Sequence, residues 1–600
     1  MKSLPEIRDL LQSNDEEARR SALQSLRGMP LAETRGMLFS VMGDESWRVR
    51  KDAVDVFVLL NPDEPAIEAL LELFRDQENA GLRNSAAEAV VRLGSRAIAP
   101  LKRKVSDRDA DVRKIVVDVM GLIASPEFVP ALLSTLHDPD INVASAAAEQ
   151  LGNIGDIETA SGLISAVIEN DSIQFRFSAL AAIGKLSIHL EVPDEIIKLA
   201  DQDMLRKVVY ECLGSVGDES ACSILIQGFI SPQRSSRIAA VIAWYRIYSR
   251  STPTVRKVLE ESLQEFCACE TVAILIDLFD PGNIALSEAV IFLLGITSNM
   301  TAAETLLAAV ACERLSDVAV VSLKRLASCD MNALLAFYPD AQPASRAAIF
   351  TVAGEMNYQI GDTLIRKGLQ DPYPIVRMSA VVAAGQLGLV GSIAEIAALL
   401  DDSEIEVRKA AINSLQSLTI FDYRTIKELA DSLGNSDIVE QRCDAAILYA
   451  ALGEGEPLTM FVKDTDPSVR QTAISYVGKL HFAEAGGLLL IALVDESPDV
   501  RIAAVESLGE VGGYEFLPQL FCALDDDDVW VQCSVLKTIA RIDISEAFTA
   551  VQKVFDQAEG VLRDTCLELL ETIGSSDALA MLEAGIQKRD KEIVKQEKLP

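Results

Sequence analysis

Hydrophobic residues recur along most of the chain at the spacing of an amphipathic helix, and the helical pattern itself returns at a fixed interval. The stretches "DTDPSVRQTAISYVGKL" at 464–480 and "DESPDVRIAAVESLGEVG" at 495–512 share one order of acidic, basic, small and glycine positions. In the first stretch, four apolar residues fall on one face of a helix. They are Val469, Ala473, Ile474 and Val477. The pattern predicts helices that bury one stripe against neighbouring helices.

An arginine marks the repeat and sets its length. Arg346, Arg377 and Arg408 lie 31 residues apart, which leaves room for two helices of roughly a dozen residues and two short turns. The full series is Arg19, Arg50, Arg83, Arg113, Arg176, Arg206, Arg237, Arg346, Arg377, Arg408, Arg442, Arg470, Arg501 and Arg563, with Ala144 and Gln532 in two further slots. The sequence predicts an all-α fold, an α-solenoid (superhelix) of about 18 two-helix repeats of about 31 residues.

An aspartate stands six residues before the arginine in several repeats. The pairs are Asp371 and Arg377, Asp402 and Arg408, Asp464 and Arg470, and Asp495 and Arg501. We interpret the series as a structural ladder, in which each arginine reaches the aspartate of its own or the adjoining repeat. We also interpret Asp464 and Asp495 as caps that open the following helix, because each is followed by a proline three residues later.

A glycine follows the arginine by eight residues in many repeats. The positions are Gly121, Gly152, Gly184, Gly214, Gly354, Gly385, Gly478 and Gly509. Because glycine lacks a side chain, it permits either a close approach of two backbones or the end of a helix. The pattern leaves both roles open.

The order Asp-x-x-Pro-x-Val-Arg-x-x-Ala with a downstream glycine resembles the HEAT-repeat family, and especially its short phycobilisome-lyase-like variety. The resemblance extends over nearly the whole chain. It implies HEAT-like repeats in which the arginine-bearing helix lines a concave wall. It also implies a protein-binding scaffold, although a few members of the family are enzymes or ligand handlers.

The regular spacing of the repeat arginines is lost between Arg237 and Arg346, where only the segments 280–295 and 316–327 look like degenerate repeats. We therefore predict four parts. They are a regular N-terminal arm at 1–230, degenerate central repeats at 231–340, a regular C-terminal arm at 341–585 and a charged tail at 586–600.

Charge and cysteine content limit the classes of partner. The formal net charge is −35, which disfavours nucleic acid and anionic membranes as partners and favours basic protein segments on the acidic arms. Charged residues near the start and the absence of a long apolar run predict a protein that is neither exported nor membrane-embedded. The ten cysteines lack the spacing of a disulfide framework, so we expect a reducing cytoplasm.

One segment runs against the overall charge. Residues 220–259 contain no acidic side chain and six basic ones, which are Arg234, Arg237, Arg246, Arg250, Arg256 and Lys257. On the helix in this segment, apolar side chains stand one and five residues after the repeat arginine. We predict a partner-binding patch for an acidic or amphipathic protein segment. Its residues are Ile238, Ile242, Tyr245, Arg246 and Arg250.

The alternative is that a neighbouring helix buries the two isoleucines and that the arginines compensate the negative charge of the surrounding repeats. Other repeats place charged residues at the same two slots. Examples are Lys51 with Asp55, Lys114 with Asp118, and Lys207 with Glu211. Those faces are predicted to be solvated, so only the central patch has the composition of an interaction site.

Catalytic chemistry is not indicated. None of His137, His189 and His481 is followed by glutamate, whereas the iron-dependent hydroxylases with similar repeats use paired His-Glu motifs as ligands. We predict no enzyme, no metal and no cofactor, and a scaffold or adaptor that family analogy places in a prokaryotic signalling or regulatory assembly. The alternative is a bilin-lyase-like or cofactor-chaperone protein that binds a tetrapyrrole.

Overall fold

The computed structural model describes residues 3–186, 189–267, 269–480, 482 and 484–596, with side chains described as far as 586. Regular structure within these ranges is helical, and no strand occurs there. The chain divides into two compact units, Met1–Cys329 and Asp330–Pro600.

The first unit is a series of helical hairpins. Their first helices are Leu4–Leu11, Leu31–Val41, Glu64–Leu71, Ile98–Lys104, Val129–Thr135, Ala160–Glu169, Asp194–Ile197, Cys222–Gly228, Cys269–Leu278 and Ala303–Ala309. Their second helices, which hold the arginine slot, are Glu16–Ser25, Trp47–Leu59, Ala80–Leu93, Ala110–Ile123, Ile141–Ile154, Ile173–Lys185, Asp203–Val216, Arg234–Arg250, Ile284–Ile296 and Ser316–Leu335. The last of these has non-helical backbone at Asp330 (φ −155°, ψ 89°), where the second unit begins.

The second unit continues the same plan. Its second helices are Pro343–Glu355, Pro374–Gln386, Ile405–Leu418, Val439–Leu452, Pro467–Val477, Pro498–Val511, Val529–Ile542 and Gly560–Ile573. The first helices between them are Asp362–Leu369, Ile393–Ala398, Tyr423–Gly434, Gly455–Phe461, Ala485–Ala492, Leu517–Ala523 and Ile544–Val554. The helix Ser576–Gln596 follows the last hairpin.

Within each unit, second helices of successive repeats pack on one another along most of the series, so that each unit has one layer of second helices and one layer of first helices. The apolar stripe lies between the layers. Val469, Ala473, Ile474 and Val477 are each 0% exposed. The predicted all-α solenoid of about 18 two-helix repeats is confirmed.

Several of the repeated glycines lie where adjacent second helices approach closely. A Cβ atom at Gly152 would stand 2.7 Å from the Cα atom of Ala182, on the next second helix. At Gly385 and Gly478 the neighbour is a buried serine, Ser414 or Ser507. Close approach is therefore the role of these glycines, and at Gly478 the helix also ends.

The interpretation of Asp464 and Asp495 as helix caps is wrong. The N-cap of Pro467–Val477 is Asp466, whose side chain accepts from the N–H of Ser468, and the N-cap of Pro498–Val511 is Ser497. Each of the two aspartates lies two residues earlier and accepts from the N–H of the N-cap residue. The carboxylates of Asp464 and Asp495 therefore accept hydrogen bonds in the loop that precedes the helix, and they do not cap the helix itself.

The irregular centre contains two hairpins and an additional helix. The degenerate segments noted in the sequence fold as Ile284–Ile296 and as part of Ser316–Leu335, while Pro253–Phe266 is inserted between two hairpins. This insertion explains why the arginine spacing is lost. The proposed division at 231 and 341 stays a prediction, as does the tail at 586–600, whose side chains beyond 586 lie outside the described part of the structure.

Candidate functional site

Arginines of the second helices join successive repeats. The Nε and Nη2 atoms of Arg470 each donate to the carboxylate of Asp495 at 2.8 Å, and Nη1 donates to the backbone carbonyl of Asp464 at 2.9 Å. Each such arginine therefore contacts both its own turn and the turn of the next repeat. The equivalent carboxylate pairs are Arg19–Asp44, Arg113–Asp138, Arg346–Asp371, Arg377–Asp402, Arg442–Asp464 and Arg501–Asp526.

Other positions show partial versions of this contact, and Arg408 and Gln532 are two examples. Arg408 donates to the backbone carbonyl of Asp402 at 2.7 Å. The position six residues before the next repeat arginine, Arg442, is Ser436, so the next repeat offers no carboxylate there. The side-chain amide of Gln532 donates to the carbonyl of Asp526 at 2.8 Å, which reproduces the contact within the repeat. The ladder residues are thus brought together, and their contribution to stability stays a prediction.

The central patch of the sequence is divided by the structure. Ile238, Ile242 and Arg246 line a groove of about 280 Å³ together with Lys207 and Glu211 of the preceding second helix. We call this the Ile238 groove. The two isoleucines are half-buried and Arg246 is exposed.

The other two predicted patch residues lie away from this groove. The hydroxyl of Tyr245 donates to Glu288 at 2.8 Å, and its ring packs on Phe292, 5.1 Å between centroids. Burial, followed by the hydrogen bond to Glu288, raises the pKa of Tyr245 to about 12. The guanidinium of Arg250 donates to the carbonyls of Gly214 and Ser215 at 2.8 and 3.1 Å. Arg250 therefore caps the end of the preceding second helix.

Other arginines of the basic segment are also engaged within the chain. Arg234 pairs with Asp277 at 2.8 Å, Arg237 donates to the carbonyl of Ser231, and Arg256 donates to the carbonyl of Tyr248. Arg246 has no hydrogen bond or ion pair within the described ranges. Of these arginines, Arg246 is the one that is exposed without such a contact among the described residues.

In two other repeats, the residues one and five positions after the repeat arginine form ion pairs. Lys114 pairs with Asp118 at 2.8 Å, and Lys207 pairs with Glu211 at 3.5 Å. Both lysines are exposed. Their faces present compensated charge instead of apolar surface, as the sequence predicted for solvated repeats.

A larger groove lies in the second unit, between the helices Pro374–Gln386 and Ile405–Leu418. Its volume is about 1010 Å³, and we call it the Val382 groove. Met378 and Val382 form one wall, and Ile420 and Phe421 close one end. Val382 is 41% exposed and Ile420 is 82% exposed, so the groove presents apolar surface to solvent.

Sequence reasoning missed this groove although the signal was present. Met378 and Val382 stand one and five residues after Arg377, which are the same slots that Ile238 and Ile242 occupy after Arg237. The central patch was indicated by its excess of basic residues. Apolar side chains at both slots are the signal that the two grooves share.

Among the described residues, no group of three or more His, Cys, Asp or Glu side chains is arranged to hold a metal ion. His137 lies 3.9 Å from Glu169 on the surface, and His481 lies outside the described residues. No helix in those ranges combines the length and the apolar character needed to cross a bilayer.

The repeats match one known family model, described as HEAT repeats, over residues 4–91, 98–184, 331–446 and 456–531. These segments make up more than half of the chain. The chain belongs to the HEAT-repeat family. The unmatched centre contains the inserted helix Pro253–Phe266, so the HEAT pattern is weakest where the arginine spacing is lost. No curated protein sequence matches the chain.

Solved HEAT-type structures resemble the chain at low sequence identity. A crystal structure of importin beta in a polyethylene glycol condition is 13% identical and covers 94% of this chain and 90% of its own, with a TM-score of 0.46. Importin beta in an ammonium sulfate condition is 14% identical over 98% and 90%, with a TM-score of 0.39. Kap121p is 13% identical over 100% and 76%, with a TM-score of 0.38.

Proposed function

We propose that this chain is a non-enzymatic scaffold or adaptor that binds segments of other proteins on the surface of its second helices. The observation that carries the proposal is the pair of apolar slots in each unit, Ile238 with Ile242 and Met378 with Val382. The equivalent slots of two other repeats hold ion pairs. Val382 is 41% exposed and the other three side chains are half-buried, and apolar surface that reaches solvent in a groove is typical of interaction sites.

The Ile238 groove has the chemistry for an acidic or amphipathic segment. Its isoleucines offer apolar contact, and Arg246 adds a positive charge without an intramolecular partner among the described residues. The acidic surface elsewhere favours basic segments and disfavours nucleic acid. Binding of basic segments would weaken at moderate salt, because exposed charges are screened.

The repeat subtype and the cellular context of the protein are part of the same proposal. We assign the repeats to the short phycobilisome-lyase-like variety on their 31-residue spacing, and the protein to a cytoplasmic signalling or regulatory assembly in a prokaryote. The ten cysteines are free, which fits a reducing compartment.

The test is an affinity pull-down with mass spectrometry from lysate of the source cells. Wild-type chain is compared with Ile242→Asp/Arg246→Glu and with Val382→Asp. The matched control, Lys114→Ala/Asp118→Ala, changes the same slots in a charged repeat. Circular dichroism first checks that all variants are folded.

We expect defined proteins to be retained by wild type and by the control, and to be lost from at least one of the apolar-slot variants. Retention of no protein above an unrelated bait would reject the scaffold function. Retention of the same proteins by every variant would place the binding surface outside both grooves and remove the observation on which the proposal rests.

A further inference from the structure

A further groove in the second unit lies between two first helices, Ala485–Ala492 and Leu517–Ala523. Its volume is about 430 Å³, and we call it the Val494 groove. Leu490 and Val494 line one side, and Pro518 lines the other. The groove therefore presents apolar surface on the layer of first helices, whereas the Ile238 and Val382 grooves lie on second helices.

Val494 occupies a position that is polar in other repeats. It is 83% exposed and immediately precedes Asp495, the aspartate that stands six residues before the repeat arginine. In five other repeats the residue at this position is polar, namely Ser106, His137, Gln370, Asp401 and Lys463. The repeat itself thus does not require an apolar residue here, and apolar surface that reaches solvent in a groove is typical of an interaction site.

Acidic residues surround one end of this groove. Asp525 and Asp526 are part of its lining, and the turns at 495–496 and 525–528 together contain six acidic residues. Within the described part of the structure, the ion pairs of these residues involve three cations, which are Arg470, Arg501 and Lys553. Negative charge beside the groove therefore exceeds positive charge.

Part of this negative charge faces solvent. Glu496 lies 3.2 Å from Arg470, and Asp527 lies 2.9 Å from Arg501, but each guanidinium already donates to an aspartate of the ladder. The side chains of Glu496 and Asp527 are 85% and 95% exposed. These two carboxylates are only partly neutralised, and a positively charged partner can reach them.

We propose that the Val494 groove binds a basic segment of another protein, in which one apolar side chain enters the groove and flanking lysine or arginine side chains contact the acidic turns. Charge complementarity selects this occupant, because a neutral or acidic segment leaves the excess negative charge unmatched. The acidic turns belong to two successive repeats, about 10 Å apart. A segment with several basic side chains reaches both turns, whereas a small cation reaches one. The inference rests on the proposed scaffold function and adds a second binding surface to it.

Lys553 stands where a basic residue of the partner would bind. Its Nζ atom donates to Oδ2 of Asp525 at 2.7 Å and to the carbonyl of Phe521 at 2.8 Å. Lys553 belongs to the next first helix, Ile544–Val554, and its side chain is 38% exposed. Because Lys553 competes with the partner for Asp525, its removal should strengthen the binding of a basic segment. A purely structural role of Lys553 predicts no such gain.

Cys522 gives a site-specific readout, because it is exposed and lines the groove. The full-length chain is equilibrated with the peptide Cys-Gly-Gly-Lys-Lys-Leu-Lys-Lys, supplied as its mixed disulfide with 2-mercaptoethanol, in an excess of free 2-mercaptoethanol. A cysteine thiolate of the protein attacks the peptide sulfur and releases 2-mercaptoethanol. Mass spectrometry of proteolytic fragments measures the labelled fraction at each cysteine, and the exposed Cys269 and Cys329 serve as internal references.

We expect labelling of Cys522 to fall about fivefold or more when the peptide leucine is replaced by serine, because the apolar contact is lost. Replacement of the four lysines by glutamine should lower it by about the same factor. At Cys269 and Cys329, each replacement should change labelling by less than about twofold, because distant exposed charges are screened at about 0.15 M salt.

Variants of the groove should change the labelling of Cys522 in opposite directions. Asp525→Asn should reduce labelling by the lysine peptide about two- to fivefold, and Val494→Ser should reduce it while circular dichroism shows a folded chain. Lys553→Ala should increase it. The matched control is Asp401→Asn, which changes the same position in another repeat and should leave the labelling unchanged.

Three results overturn the inference. They are equal labelling of Cys522 by the lysine and glutamine peptides, equal labelling by the leucine and serine peptides, and no increase for Lys553→Ala. If any of these occurs while Ile242→Asp/Arg246→Glu still removes partner proteins in the pull-down, then the scaffold function stands and only this second surface is rejected. Retention of no protein in the pull-down rejects the scaffold function itself.

Discussion

Arg377 and Asp402 connect two successive repeats through a pair of parallel hydrogen bonds. Nε donates to Oδ2 at 2.7 Å and Nη2 donates to Oδ1 at 2.8 Å. The side chains are only 13% and 6% exposed, and the hydrogen bonds from Arg377 lower the pKa of Asp402. Nη1 also donates to the carbonyl of Asp371 at 2.9 Å, so one guanidinium joins two turns.

Removal of this guanidinium should destabilise the second unit. Arg377→Ala leaves the carboxylate of Asp402 buried without its partner, and breaking a buried ion pair costs about 3–5 kcal/mol. We expect a clearly lower urea midpoint for Arg377→Ala. Asp402→Ala should cost a similar amount, and the double variant less than the sum of the two.

The exposed pair Arg424–Glu428 provides the matched control. Its atoms are 2.9 Å apart, but the side chains are 89% and 64% exposed, so Arg424→Ala should change stability by less than about 0.5 kcal/mol. If Arg377→Ala is as mild as Arg424→Ala, then the arginine series does not act as a structural ladder.

Close packing at the repeated glycines gives a second prediction. Alanine is favoured over glycine inside a helix by about 1 kcal/mol, but a Cβ at Gly152 would meet the backbone of Ala182 at 2.7 Å. Gly152→Ala should therefore destabilise the first unit by about 1–3 kcal/mol. Gly36 has open space around it, so Gly36→Ala should stabilise the chain. Thermal unfolding, monitored by circular dichroism, should show a lower midpoint for Gly152→Ala and a higher midpoint for Gly36→Ala. A higher midpoint for both variants would contradict the close-approach role of Gly152.

The regular part of the fold was predictable because local periodicity and tertiary contacts agree in every repeat. The stripe containing Val469 and Ile474 is buried as its spacing indicates. The insertion of Pro253–Phe266 was not predictable, because an amphipathic helix without the arginine motif carries no sign of its place in the stack. The intramolecular hydrogen bonds of Tyr245 and Arg250 were not predictable for another reason. Their acceptors, Glu288 and Gly214, lie in adjacent repeats.

Stability should also respond to the charge of Asp444 on the second helix Val439–Leu452. Burial, with the negative charge of Asp401 as the next cause, raises the pKa of Asp444 to about 7, and Arg408 opposes the shift. An unfolded aspartate titrates near 3.9. Between about pH 4 and pH 7 the unfolded chain therefore releases a proton that the folded chain keeps, and the free energy of unfolding falls as pH rises through this window.

Asp444→Asn removes this penalty. Above pH 7 its free energy of unfolding should exceed that of wild type by an amount on the order of 2 kcal/mol after allowance for partial exposure, and its thermal midpoint should be higher. The difference should shrink at pH 5.5. The exposed neighbour Asp437 provides the control Asp437→Asn, for which no such trend is expected. An equal gain for Asp444→Asn at pH 5.5 and pH 8.5 would assign the effect to packing instead of ionisation.

Arg246 and Arg250 lie one helical turn apart, but only Arg250 should affect stability when it is replaced by alanine. Arg250 donates to the carbonyls of Gly214 and Ser215, so Arg250→Ala leaves the end of the helix Asp203–Val216 without these hydrogen bonds. The loss should lower the thermal midpoint and speed amide exchange at that helix end, at a cost of about 1–3 kcal/mol. Arg246 is exposed and lines the Ile238 groove, so Arg246→Ala should leave both readouts unchanged.

Partner binding should show the reverse order. In a pull-down from lysate, Arg246→Ala should weaken retention of any protein that Ile242→Asp removes, because both side chains line the same groove. The Arg250→Ala variant should still retain that partner at temperatures where the variant itself remains folded. If Arg250→Ala loses the partner without any fall in thermal midpoint, then Arg250 contacts the partner directly and the binding surface extends beyond the Ile238 groove.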